Sequence, residues 1–372
     1  MEGKEVFILF FCLGPTFSRF SLPCVQITDS AYVAHSETIL YRRGYDYFQS
    51  LDKDADFFGF VHSAGELENN VSKNVADRRV YIDVLKNTVF STNTQYAGNT
   101  VGLKIRKADR EEWLAEHMLL MGVHGPNGRV TYFSGAFPSA CGKTSTAMAA
   151  GETIVGDDIA YLRGEDGRCR GANVECGIFG IIRDVNPEDD PVIWDVLTTP
   201  GEVIFSNVLI TDEGVPYWLG DNREVPESGI NFSGRWEKGK VDTLGNPIPH
   251  SHKNARYTVS ISRLKNRDPR ADDPAGVELK GMLFGGRDSD TWVPVERSFD
   301  WADGVITRGA ALESETTAAT LGQQERRQRT TPSCGAGALS RRAGSWRRRS
   351  RRRPRAAAVA ARCADGPRAR PR

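Results

Sequence analysis

Phe137-Pro-Ser-Ala-Cys-Gly-Lys-Thr144 stands between a strand-like run, Val130-Thr-Tyr-Phe133, and a helix-compatible run, Thr144–Ala150. Small residues in such a loop let successive backbone N–H groups converge on phosphate oxygens. Lys143 supplies a point charge for the β- and γ-phosphates, and Thr144 a hydroxyl for a magnesium ion. Phe137 replaces the first glycine of the general pattern GxxxxGK[ST], so the whole octapeptide carries the reading, more than Gly-Lys-Thr alone. Shortly after comes Val155-Gly-Asp-Asp-Ile-Ala160. Two adjacent carboxylates are usually a solvated turn. One helix and one strand beyond a phosphate loop, they suit a strand end that meets the metal of a bound triphosphate.

Working outward, residues 126–310 alternate strand runs with Gly, Pro and Asp turns. The runs are Val130–Phe133, Thr153–Val155, Ala160–Leu162, Ile178–Ile182, Val203–Leu209, Tyr257–Ile261, Met282–Phe284 and Gly304–Thr307. Many short strands and few long helices predict an α/β fold with a mixed, antiparallel-rich sheet. Residues 1–125 also read as α/β, with strands at Val6–Leu13 and Val80–Val84. Asp109–Met121 reads as a helix, with Asp109 as N-cap and Glu112 closing a capping box. At 372 residues the chain has room for more than one core. The division expected is 1–125, 126–322 and a tail, 323–372.

The tail holds 16 Arg and no Lys, and its only acids are Glu325 and Asp365, so it carries +14 against −13 for the rest. The formal net charge of +1 therefore hides a moderately acidic body joined to a very basic end. Rich in Arg, Ala, Pro and Gly, the tail is expected to be disordered, since it offers little apolar surface to bury. Clustered arginine fits a nucleic-acid-binding arm. The lack of lysine fits better the product of a shifted reading frame in GC-rich DNA, and nucleic acid is not expected as a partner.

Seven dispersed cysteines, at positions 12, 24, 141, 169, 176, 334 and 363, show no zinc spacing and read as reduced thiols. Val6–Leu13 is too short for a membrane span and reads as a buried strand. A soluble cytoplasmic protein is the expectation.

Six segments occur in the order in which GTP-dependent phosphoenolpyruvate carboxykinases carry their equivalents: Tyr96-Ala-Gly-Asn99, Glu112-Trp-Leu-Ala-Glu-His-Met118, the octapeptide, Val155–Ala160, Ser251-His-Lys-Asn-Ala-Arg256 and Phe284-Gly-Gly-Arg287. The chain resembles that family, most of all its archaeal branch, from about Glu2 to Gly322. The resemblance implies a phosphoenolpyruvate carboxykinase-like P-loop fold, present as a partial two-domain architecture. It also implies the reaction of oxaloacetate with GTP to give phosphoenolpyruvate, GDP and CO₂. By the same resemblance Mn²⁺ serves the catalytic site and Mg²⁺ or Mn²⁺ accompanies GTP. His117, Asp158 and a neutral lysine, Lys104, would be metal ligands, with Thr144 on the nucleotide metal. The stretch between Lys104 and His117 is shorter than the family's.

Substrate contacts implied by the resemblance are Tyr96, Ala97, Gly98, Ser139, Asn254, Ala255 and Arg256. Nucleotide contacts are Ala140, Cys141, Gly142, Lys143, Thr144, Ser145, Asp157, Arg256 and Arg287. Cys141, Lys143 and Arg256 are the catalytic candidates, with Cys141 read as a packing element of the loop and not as a nucleophile. Asp288 departs from the second basic residue of the family, and Ala311–Thr320 resembles the start of its mobile lid. A substrate-binding arginine segment at one end and the guanine pocket at the other have no counterpart. A fragment keeping only nucleotide-phosphate binding and a tail-borne RNA-binding module are the alternatives to a small-molecule enzyme. A monomer is the family expectation.

Overall fold

The fold is taken from a computed structural model that describes residues 1–68, 71–94, 111, 113–137, 142–287, 295–309, 312, 314–315, 329–330 and 357–363, the last three segments and Arg287 by backbone alone. Two compact units are each discontinuous in sequence: 1–13, 22–100 and 175–265 form one, and 14–21, 101–174 and 266–372 the other.

In the first unit a six-stranded sheet runs Arg42–Arg43, Phe7–Leu13, Leu22–Thr28, Phe58–Ser63, Thr88–Thr92, Arg79–Asp83. Phe58–Ser63 is parallel to both of its neighbours, Leu22–Thr28 and Thr88–Thr92, so the sheet is mixed. The helix Ala31–Leu40 is capped by Ser30, whose hydroxyl accepts from Val33 N. Three smaller antiparallel sheets are also described in this unit, one joining Gly177–Ile181, Arg256–Ser260 and Val203–Ser206. The run expected as one strand over Val203–Leu209 is broken at Asn207, whose φ of 62° ends the first strand before a short second one, Leu209–Ile210. Asparagine is among the few residues that reach that conformation readily.

The second unit is built on one large mixed sheet. Its path is Thr153–Gly156, Leu119–His124, Val130–Ala136, Val277–Arg287, Arg168–Asn173, Ala160–Glu165, Trp113–Glu116. Val130–Ala136 and Val277–Arg287 are the parallel pair at its centre. Leu120, Ala160, Leu162, Val277 and Phe284 are buried in its core.

Three expectations are corrected here. The helix expected over Asp109–Met121 does not extend through the run: Glu111 is helical, but Trp113–Glu116 and Leu119–His124 are strands, with His117 and Met118 between them. All four residues Trp113–Glu116 are buried, as are Leu119–Gly122. A strand covered on both faces loses its two-residue alternation, and periodicity cannot then separate it from a helix. Conversely, Gly304–Thr307 was expected as a strand and lies in a π-type helical turn, Asp303–Gly309. Asp300 starts it, accepting at Oδ1 from Asp303 N, while Asp303 reaches back to Phe299 N. Together the two carboxylates satisfy backbone N–H groups at the start of the turn. Finally, the tail was expected to carry no regular element. Ala357–Cys363 forms a strand parallel to Val277–Arg287 and antiparallel to Val295–Arg297. Six of its seven residues are Ala, Val or Cys, with Arg362 the exception, so it brings little charge into the sheet.

Candidate functional site

Phosphate-loop residues are carried by the central strand Val130–Ala136 and the short helix Lys143–Ala147. Phe137, which stands where the general motif has glycine, is buried at the strand's end. Pro138, Ser139, Ala140 and Cys141 lie outside the described residues. Gly142 has φ 84°, a left-handed conformation that an L side chain would strain, which explains the glycine before Lys143.

Register brings the remaining groups to the same place. Ala160 pairs with Glu116 across the antiparallel strands Ala160–Glu165 and Trp113–Glu116. His117 and Asp158, each just past the paired ends, therefore meet: His117 Nε2 lies 2.8 Å from Asp158 Oδ1. On the other side of the sheet Gly156 pairs with Leu120, which fixes where Asp157 begins. Lys143 Nζ contacts both His117 Nε2 and Asp158 Oδ1, and lies 3.5 Å from the Asp158 carbonyl oxygen. Thr144 Oγ1 donates to Asp157 Oδ2 at 3.3 Å. Ser145, the remaining residue assigned to this loop, is exposed on the helix.

The adjacent carboxyls are driven apart electrostatically. Burial and the neighbouring Asp158 charge push Asp157 above the ordinary carboxylate range. Burial also pushes Asp158 upward, but the hydrogen bond with His117 and the Lys143 charge hold it below that range.

A divalent cation is the group these residues must be tested against. Among the described residues no cluster of three or more His, Cys, Asp and Glu side chains forms a complete ligand set. His117 Nε2 and Asp158 Oδ1 nevertheless converge on one positive group, the Lys143 ammonium. Buried Asp157 keeps Oδ1 without a hydrogen-bond partner. Nitrogen and carboxylate oxygen donors of this kind fit a divalent ion as two of its protein ligands. Lys104, expected as a third ligand, lies outside the described residues, as do Tyr96, Ala97, Gly98 and Asp109.

Sequence reasoning missed Asn173. A Cβ built on Gly156 would stand 2.1 Å from Asn173 Oδ1, so the two pack backbone against side chain. No local signal marks such a pair 17 residues apart. Gly156→Ala is expected to destabilise the unit by about 1–3 kcal/mol through overpacking and to displace Asp157. Thermal unfolding, compared with the neighbouring Ile159→Val, tests this.

In the first unit the Ser251–Arg256 segment stands by itself. Ala255 is buried, and Arg256 opens the strand Arg256–Ser260. Its Nε donates to Asn254 Oδ1 at 3.1 Å, and its guanidinium lies 5.2 Å from the Phe179 ring centre. Stacking and the hydrogen bond aim the guanidinium fork, the geometry suited to a carboxylate or phosphate. Arg287 ends the strand Val277–Arg287 in the second unit. Of the lid-like segment Ala311–Thr320, Leu312 is buried and Ser314–Glu315 is a strand paired with Arg329–Thr330. No described helix is long and apolar enough to cross a membrane.

The family model of the phosphoenolpyruvate carboxykinase C-terminal P-loop domain matches residues 113–344, more than half the chain. The chain belongs to the phosphoenolpyruvate carboxykinase family. The model of that family's N-terminal domain matches residues 1–110. The chain is 60% identical over 333 residues to phosphoenolpyruvate carboxykinase (GTP) of Thermococcus kodakarensis, covering 87% of this chain and 53% of the relative. With the enzyme of the same name from Saccharolobus solfataricus identity is 46% over 334 residues, 87% of this chain and 52% of the relative. With that of Chlamydia muridarum it is 36% over 345 residues, 87% of this chain and 56% of the relative. The archaeal branch is thus the nearer of these two groups, and the chain spans about half the length of the curated relatives it matches.

Proposed function

We propose that the chain performs phosphoenolpyruvate carboxykinase chemistry, converting oxaloacetate and GTP to phosphoenolpyruvate, GDP and CO₂. The observation that carries this reading is the convergence of Lys143, His117 and Asp158 beside the phosphate loop. GTP as the nucleotide rests on the names of the relatives.

Lys143 and Thr144 would bind the β- and γ-phosphates and their metal, with Asp157 orienting the Thr144 hydroxyl. Arg256, steadied by Asn254 and Phe179, would hold the substrate carboxylate. His117 and Asp158 would hold a divalent ion, Mn²⁺ in this proposal, and Lys104 is the proposed third ligand. When bound, that ion supplies Lewis-acid stabilisation of charge on the reacting oxygens. Loss of CO₂ leaves the bond's electron pair on the substrate as an enolate, whose oxygen attacks the γ-phosphorus in line as GDP leaves. No residue need remove a proton from the nucleophile, since decarboxylation creates it. Lys143 then spreads the charge of the transferred phosphoryl group.

Tyr96, Ala97, Gly98 and Ser139 complete the proposed substrate contacts. Ala140, Cys141, Gly142, Ser145 and Arg287 complete those to nucleotide. The proposed setting is a cytoplasmic monomer acting on small molecules. Phosphoenolpyruvate formation from oxaloacetate with Mn²⁺, run in parallel with GTP and ATP, tests the reading. GTP-dependent product supports it, and no product with either nucleotide contradicts it.

A further inference from the structure

Lys143 leaves the first residue of its helix with only 11% of its side chain exposed. Its ammonium faces His117 Nε2 and Asp158 Oδ1 together, while those two atoms stand 2.8 Å apart. The Asp158 carboxylate only accepts, and His117 Nε2 can either donate to it or present a lone pair to a cation, so a cation that takes both atoms replaces the hydrogen bond between them. A single cation facing both is how two ligands share a metal ion. An ammonium and a divalent ion cannot both take that place, because two positive centres in contact repel and the site is only partly open to water.

We propose that the Lys143 ammonium and the divalent cation compete for the same two donor atoms, so that cation binding displaces Lys143 and frees it for polyphosphate. Lys143 is thereby a competitor of the cation as well as a phosphate ligand. Metal and nucleotide binding become positively coupled, since each favours the arrangement in which Lys143 has left the carboxylate. This inference rests on the proposed reading of His117 and Asp158 as cation ligands.

The test is Mn²⁺ binding to the full chain without nucleotide, followed by the paramagnetic resonance of free Mn²⁺. Lys143→Met keeps the stem and removes the charge. It is expected to bind Mn²⁺ roughly tenfold more tightly than the unaltered chain, the scale of removing one close like charge. In the unaltered chain, Mn²⁺ is expected to raise the rate at which an amine-acylating reagent modifies Lys143, read by mass spectrometry. A Met variant with no gain in affinity, or acylation that Mn²⁺ leaves unchanged or slows, overturns the inference. Asp158→Asn separates the two levels. If it retains Mn²⁺ affinity, the cation-site reading itself falls. If affinity depends on Asp158 but not on Lys143, only the competition falls.

Discussion

Lys143→Ala is expected to lower kcat/KM for GTP-dependent phosphoenolpyruvate formation by about 10²–10³-fold, or roughly 3–4 kcal/mol of transition-state stabilisation. The lysine is the only cationic side chain in contact with the His117–Asp158 pair among the described residues. In-line phosphoryl transfer depends on positive charge placed around the migrating group more than on covalent help from the protein. The substitution shortens a partly buried side chain on a five-residue helix and leaves no apolar cavity in the main core. Some stability is nevertheless expected to be lost, because Asp158 loses its cationic partner, and steady-state kinetics beside a thermal melt separates the two effects. A loss confined to KM would mean uniform phosphate binding and would argue against a transition-state role.

Asp158→Asn is the second large effect expected. The carboxylate faces two partners, His117 at 2.8 Å and the Lys143 ammonium, which together hold its proton affinity low in spite of burial. An amide keeps the shape and removes the charge. Mn²⁺ affinity is expected to fall by at least about 100-fold, beyond what loss of a supporting outer-shell partner costs. Turnover should fall with it and recover in part as Mn²⁺ is raised. A variant that keeps both full metal affinity and full turnover would remove Asp158 from the site. Asp157 is no substitute: it is buried, is pushed toward its neutral form and faces Thr144.

Much of this arrangement could be read from residues. The octapeptide, the strand before it and the Asp pair after it are local signals; the structure places the strand at Val130–Ala136, Lys143 and Thr144 on the helix Lys143–Ala147, and the Asp pair just past Thr153–Gly156. The mixed sheet followed from many short strand runs. His117 shows where local reading stops. Its surroundings looked helical because Trp113–Glu116 and Leu119–Gly122 are buried on both faces, and burial erases alternation. The residue was chosen by resemblance, while its position depends on a register with Ala160–Glu165 that no single segment encodes. Asn173 against Gly156 was invisible for the same reason. The turn at Asp303–Gly309 was legible in principle, since Asp300 and Asp303 are acceptors suited to its first N–H groups. The β-branched pair Val305-Ile306 drew the reading toward a strand instead.

The central claim is that Lys143, His117 and Asp158 form one working site for phosphoryl transfer to the enolate of oxaloacetate. It is tested most directly by phosphoenolpyruvate formation from oxaloacetate, GTP and Mn²⁺ with the purified chain, beside Lys143→Ala and Asp158→Asn at matched folding. The account predicts product that requires GTP and Mn²⁺ and falls at least about 100-fold in each variant. Absence of product from the folded unaltered chain, or product that survives both substitutions undiminished, would contradict it.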